Sequence, residues 1–81
     1  MVFRADLPHS PVIKRSIEVR GRHTSVSLED PFWDQLKHIA AGRRMSVNAL
    51  VTEIDNERQR RNLSSALRLF VLKMASAREL V

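Results

Sequence analysis

A polar side chain stands at every second position between residues 23 and 28: His23, Ser25 and Ser27. Alternation with a period of two is typical of a β-strand, because successive side chains of a strand point to opposite faces. Serine hydroxyls can bond several base edges of DNA, and histidine can donate to guanine or to a phosphate. The polar face of this strand is therefore a candidate base-reading surface. The alternative is an ordinary half-exposed strand whose polar side faces water.

A basic turn, Arg43-Arg44-Met45-Ser46-Val47, forms the second candidate site. Ser46 is predicted to cap a helix, whose first N–H groups are unpaired and carry a partial positive charge. Two arginines before such a helix start add full charges, and the combination suits a phosphate. The alternative is a plain helix cap beside solvated arginines.

Apolar residues recur at helical spacing over much of the chain after residue 30. Pro31 fits the first turn of a helix, and Gly42 fits the end of that helix. Pro8 and Pro11 interrupt regular structure near the start of the chain. We therefore predict a flexible arm over residues 1–12 and one domain over residues 13–81, with a strand at 23–28 and helices at about 30–41, 46–58 and 63–78.

The predicted strand needs a partner strand, because a single strand cannot satisfy its own backbone hydrogen bonds. A chain of 81 residues without cysteine has a marginal core of its own, so association with a second copy is a common remedy. Two such strands side by side make an antiparallel ribbon, which is narrow enough to enter the major groove of DNA.

Residues 13–20 also alternate and predict a further strand or an arm. Gly21-Arg22 could form a two-residue hairpin turn with glycine first. A hairpin in each copy together with a dimer ribbon would make a four-stranded sheet, too wide for a groove about 12 Å across. The sequence leaves this question open. The register that this turn predicts pairs Arg20 with His23, Val19 with Thr24 and Ile17 with Val26.

Composition favours a polyanionic partner. Fourteen Lys and Arg against nine Asp and Glu give a net charge of +5, and eleven of the fourteen are arginine. Arginine suits phosphate and guanine recognition better than lysine does. The cluster Arg58, Arg60 and Arg61 is predicted to form ion pairs with neighbouring acidic residues instead.

Several classes of protein are not indicated. No apolar run is long enough to span a membrane and no secretory signal is evident. The absence of cysteine fits the reducing cytoplasm. His9, His23 and His38 lack metal-ligand spacing, and no cofactor is implied. Gly21 and Gly42 are both assigned to turns, so there is no Gly-rich phosphate loop, and no nucleophile has a nearby base; we therefore predict no enzyme.

Four segments in this order and spacing, residues 24–30, 32–36, 45–50 and 62–66, resemble the ribbon-helix-helix DNA-binding proteins of the Arc, MetJ and CopG type. The match is closest to a bacterial subfamily with a longer N-terminal lead and an extra C-terminal segment. It runs from about residue 20 to about residue 70, more than half of the chain.

The resemblance implies an α+β, mostly α, intertwined homodimer with an N-terminal strand or arm and an additional C-terminal helix. It implies a cytoplasmic transcriptional repressor that inserts a two-stranded ribbon into double-stranded DNA. The predicted base-reading residues are His23, Ser25 and Ser27. The predicted phosphate contacts are Arg20, Arg22, Arg43, Arg44, Ser46 and Val47. The predicted dimer core comprises Val26, Leu28, Trp33, Leu36, Leu50, Val51, Ile54, Leu67 and Phe70.

Two alternatives remain at the level of sequence. Leu69 and Leu72 lie off the apolar face of the third helix, and a helix that is apolar on several sides usually contacts more than one element. The chain could therefore be an antitoxin or other interaction module that binds a partner protein through this helix. A third interpretation is a scaffold dimer whose widened, four-stranded sheet covers Ser25 and Ser27.

Overall fold

Two antiparallel strands form a hairpin within one chain. The computed structural model describes residues 11–59 and 62–79, with side chains as far as residue 77. Strand β1 spans Val12–Val19 and strand β2 spans Arg22–Glu29. They pair along their whole length, from Val12 opposite Glu29 to Val19 opposite Arg22. Residues 13–19, which the sequence left open as a strand or an arm, therefore belong to a strand. The predicted flexible arm, residues 1–12, lies outside the described residues except at residues 11 and 12.

The hairpin turn consists of Arg20 and Gly21, so the predicted turn at Gly21-Arg22 is wrong. Both turn residues have positive φ, 54° and 77°. Positive φ at both central positions defines the type I′ turn, whose twist matches that of the flanking strands. Ile17 accordingly lies opposite Thr24 and not opposite Val26. Because this shift is two residues, every side chain keeps the face that the sequence predicted.

Three helices follow the hairpin: α1 at Asp30–Gly42, α2 at Val47–Glu57 and α3 at Leu63–Glu79. Ser46 caps α2, and its hydroxyl accepts the N–H of Ala49 at 3.0 Å. Asn62 precedes α3 in the same way and accepts the N–H of Ser65 at 2.8 Å. The two helices therefore begin alike, each with a polar side chain bonded three residues ahead.

The two ends of α1 differ in part from the prediction that Pro31 begins this helix and Gly42 ends it. Gly42 is its last residue, but the positive φ between α1 and α2 belongs to Arg44, at 57°. At the other end Glu29 occupies the N-cap position without a side-chain cap bond, because its carboxylate binds Arg68 instead. Pro31 sits in the first turn, as predicted.

One face of the hairpin packs on all three helices and closes a single core. The hairpin supplies two apolar residues from each strand, and each helix adds three. Four leucines and Val51 are completely buried. The buried set is Ile17, Val19, Val26, Leu28, Leu36, Ile39, Ala40, Leu50, Val51, Ile54, Ala66, Leu67 and Val71.

The structure supplies within one chain the partner strand for which the sequence suggested a second copy. β2 has its partner strand within the chain, and most of the predicted dimer core is buried by the chain's own elements. Trp33 and Phe70 are half-buried against the same core. The homodimer itself stays a prediction, because burial within one chain does not exclude association through another surface.

Candidate nucleic-acid interface

The outward face of the hairpin is polar and exposed. His23, Ser25 and Ser27 all lie on it, as the alternation predicted. Residues directly opposite each other in a ladder share a face, so β1 adds its own row. This outward face includes three polar cross-strand pairs, Glu18 with His23, Ser16 with Ser25, and Lys14 with Ser27, and ends at the pair of Val12 with Glu29.

Sequence reasoning did not include the β1 row in the site. The sequence pattern that could have identified this row was present, because Lys14, Ser16 and Glu18 occupy every second position and Ile13, Ile17 and Val19 lie on the opposite parity. It was not used because the second strand of the ribbon was expected to come from another copy. A hairpin within the chain gives these three side chains the same exposure as the β2 row.

A helix begins beside each edge of the hairpin. On the β1 edge, the backbone N–H of Glu18 donates to the Asn48 side-chain oxygen at 3.3 Å. On the β2 edge, the N–H of Ser27 donates to the Ser64 hydroxyl at 3.0 Å. Asn48 and Ser64 are each the second residue of their helix. The two-stranded ribbon is therefore flanked by the start of α2 on one side and of α3 on the other.

Arg68 holds α3 against β2. It donates to the carbonyl oxygen of Ser27 at 3.0 Å and to the Glu29 carboxylate at 2.9 and 3.0 Å. Its guanidinium also lies 5.8 Å from the centre of the Phe32 ring. Burial alone raises the pKa of the Glu29 carboxyl, but the Glu29 backbone N–H and Arg68 outweigh burial and hold that pKa below its ordinary value. Arg68 therefore has a structural role, which could not be inferred from the residue type alone.

Arg15 also makes its contacts within the protein. Its guanidinium lies 5.1 Å from the centre of the Trp33 ring and forms an ion pair with Asp30. It donates to the carbonyl oxygen of Leu28 at 3.2 Å as well. Arg58 forms an ion pair with Asp55 at 2.6 Å, as its cluster was predicted to do; Arg60 and Arg61 lie outside the described residues.

The four arginines predicted to contact phosphate fall into two groups. Arg20 bonds Asn56, and Arg43 lies 3.8 Å from Glu53 and 5.4 Å from the centre of the Phe70 ring. Both are therefore partly engaged with the protein. The side chains of Arg22 and Arg44 are exposed and make no hydrogen bond or ion pair with the rest of the described chain.

The other two predicted phosphate contacts lie at the start of α2. Ser46 is exposed, and its hydroxyl is occupied by the capping bond to Ala49. Val47 is half-buried and packs against the core. These positions can therefore offer a phosphate their backbone N–H groups and the helix dipole rather than free side chains.

Further features bear on other classes of site. Within residues 11–59 and 62–79 no group of three or more His, Cys, Asp or Glu side chains is placed to hold a metal ion. No helix in the described part of the chain is both long enough and apolar enough to cross a membrane.

Comparison with known proteins assigns the family. A two-stranded ribbon followed by helices is the architecture of a class of non-enzymatic DNA-binding folds. The sequence profile of the ribbon-helix-helix domain matches residues 12–75, so this chain belongs to the ribbon-helix-helix domain family. The predicted family is thereby confirmed, and so is the predicted α+β, mostly α, fold in which an additional C-terminal helix, α3, follows the ribbon and two helices.

A solved structure supports the same conclusion. The chain is similar to an uncharacterized protein from Bordetella pertussis Tohama I, with a TM-score of 0.75 and 32% sequence identity. The match covers 94% of this chain and 65% of that one, so this chain spans somewhat less than two thirds of the length of its structural relative. No protein of curated function matches this chain significantly.

Proposed function

We propose that this protein binds double-stranded DNA and regulates transcription, most simply as a repressor that occupies a promoter. The observation that carries the proposal is the exposed polar face of a two-stranded ribbon. Strands in a ladder lie about 4.8 Å apart, so two of them fit a major groove about 12 Å wide. Within the described residues of one chain the sheet has two strands.

Charge supports the same proposal. The chain carries a net charge of +5. Arg22 at the start of β2 and Arg44 before α2 are the exposed arginines best placed to contact phosphates, with the N–H groups at the start of α2. Phosphate contacts would supply most of the affinity, and the outward face would supply the specificity. A regulator of this kind would act in the cytoplasm, where bacterial DNA is found.

The test is recovery of sheared genomic DNA from the source organism by the purified protein at near-physiological salt, followed by sequencing. A Ser25→Asp/Ser27→Asp variant places two negative charges on the outward face. A Ser76→Asp/Lys37→Gln variant lowers the net charge by the same two units at exposed positions on α3 and α1. We expect a short enriched motif with the natural protein and with the control, and loss of that motif with the ribbon variant.

Each other result is informative. Uniform recovery by all three proteins would mean backbone binding without base reading. Loss of the motif in the control as well would attribute the effect to net charge. No recovery by the natural protein would overturn the DNA-binding proposal.

A second candidate, association through α3, has one observation in its favour. Leu69 and Leu72 are 37% and 41% exposed, although most apolar residues of α3 face the core. Large apolar side chains that remain exposed near one another are typical of a contact surface. The occupant would be a second copy of this chain, or a partner protein as in the antitoxin alternative.

Sedimentation equilibrium distinguishes these occupants. A dimer that dissociates in a Leu69→Asp/Leu72→Asp variant would place the second copy on α3. A natural protein that is monomeric at micromolar concentration would leave α3 to a different partner and would contradict the predicted homodimer.

A further inference from the structure

We infer that the cleft between the C-terminal parts of α1 and α3 binds a small apolar carboxylate, and that Arg43 binds its carboxylate group. This site goes beyond the proposed DNA binding and does not depend on it. Every residue that lines the cleft lies in α1, in α3 or directly after α1, so the outward face of the hairpin takes no part. The two functions can therefore be tested separately.

The size and lining of the cleft fit a small molecule. Its volume is about 840 Å³, and sites for small ligands usually have roughly 300–1,000 Å³. The walls are mainly apolar and are formed by Ile39, Ala41, Met74 and Ala77. Ala41 and Ala77 are exposed, so a ligand can reach the cleft from solvent. Such walls favour a ligand with a hydrocarbon part, because filling the cleft removes apolar surface from water.

The charges of the cleft fit an anion. His38 and Arg43 are the residues of the lining whose side chains can carry a charge, and both are basic. No acidic side chain lines the cleft within the described part of the chain. Arginine only donates hydrogen bonds, and an ionised carboxylate only accepts them. Apolar walls beside two basic groups therefore suit a hydrocarbon chain that ends in a carboxylate.

Contacts with α3 hold the guanidinium of Arg43 beside the wall of the cleft. Nη2 donates to the sulfur of Met74 at 3.8 Å, and the guanidinium lies 5.4 Å from the centre of the Phe70 ring. Nη1 lies 3.8 Å from a carboxylate oxygen of Glu53, and both side chains of this pair are exposed. An exposed ion pair of this kind contributes little, so a ligand carboxylate can replace Glu53. The planar fork of arginine can bind that carboxylate with two parallel hydrogen bonds.

The end of α1 opposes an anion at this position, because the C-terminus of a helix carries a partial negative charge. The carbonyl oxygens of residues 39–41 are already bonded, however, by the N–H groups of Arg43, Arg44 and Met45. The partial charge of a helix end is about half an elementary charge, whereas the guanidinium of Arg43 carries a full one. Attraction by Arg43 therefore outweighs repulsion by the end of α1.

The experiment is titration of the purified protein with octanoate in the absence of DNA, followed by NMR. We expect octanoate to shift the methyl signal of Met74 and the ring signals of His38, and butyrate to bind more weakly, by up to about fourfold per missing methylene. Octylamine has the same chain length and the opposite charge, and it should not bind in the cleft. Arg43→Gln should weaken octanoate binding roughly tenfold. Lys37→Gln removes the same charge at an exposed position on α1 and should leave octanoate binding unchanged.

Equal binding of octanoate to the natural protein and to Arg43→Gln would overturn the inference, and so would binding of octylamine in the cleft as tight as that of octanoate. Signal shifts centred on Leu69 and Leu72 would overturn it too, since they would show adsorption to a different apolar surface. Absence of octanoate binding at millimolar concentration would have the same meaning. Failure to recover DNA would refute the proposed function and leave the ligand site intact. Thermal unfolding verifies that Arg43→Gln is folded, and the comparison of the three ligands needs only the natural protein.

Discussion

Replacement of Ile17 by alanine tests whether β1 is an integral part of the fold of one chain. Ile17 is 4% exposed and lies in the core between the hairpin and the helices. Replacement of a buried isoleucine by alanine lowers the free energy of unfolding by roughly 2–5 kcal/mol. One part of this loss is the transfer free energy of the removed apolar atoms, and the other is the cost of the cavity that remains. We expect Ile17→Ala to lower the free energy of unfolding by about 3 kcal/mol, a large part of the total for a domain of this size.

Ile13→Ala is the matched control. Ile13 lies on the same strand and the same face, but it is 37% exposed. The same atoms are removed from a site where water already reaches them, so we expect a loss of about 1 kcal/mol. The two variants should therefore differ by about 2 kcal/mol, which corresponds to roughly 8–16 °C in Tm for a small domain.

The assay is thermal and urea unfolding followed by circular dichroism at several protein concentrations. If one chain closes its own core, the midpoint of the natural protein will not depend on concentration. An Ile17→Ala variant no less stable than Ile13→Ala would refute the packing of β1 in the core. A midpoint that rises with concentration would show that association with a second copy stabilises the fold.

Three further outcomes are expected. Arg44→Ala should weaken DNA binding and reduce the salt slope by about one, whereas Lys37→Ala should change neither in fluorescence anisotropy titrations. Ser46→Ala should lower the free energy of unfolding by about 1 kcal/mol in urea titrations, because α2 loses its cap. Since the folded-state pKa of Glu29 is lowered, its carboxylate stabilises the fold above pH 4.5, the ordinary value, and this contribution is lost as the pH falls through the folded-state pKa. Calorimetry should therefore find Glu29→Gln less stable than the natural protein at pH 7 and nearly equal to it at low pH.

The local features of this fold were predictable because they depend on near neighbours in the chain. Alternation placed Val26 and Leu28 on the buried face of β2 and the serines on the exposed face, and the structure has the same arrangement. Ser46 was identified as a cap because its hydroxyl needs only the N–H three residues ahead. The hairpin turn was misplaced by one residue, since Arg20-Gly21 and Gly21-Arg22 both contain the glycine that a tight turn favours.

The roles of the arginines were not predictable from the sequence. Arg15, Arg68 and Arg44 are chemically identical, and each fits a phosphate equally well by composition. Contacts between residues distant in the chain separate them, because Arg15 packs over Trp33 and Arg68 binds Glu29. Arg44 has no such partner in the described structure and remains exposed.

The sequence by itself determined β2, the three helices, their faces and the family. It did not determine which strand pairs with β2, because a strand from a second copy and β1 of the same chain would satisfy the same hydrogen bonds. The tertiary structure decided this point through contacts that span about half of the chain. Ser64 and Arg68 of α3 bond the Ser27 backbone at the far edge of β2, and the three helices pack beneath the hairpin, so β1 is the strand that pairs with β2 in this chain.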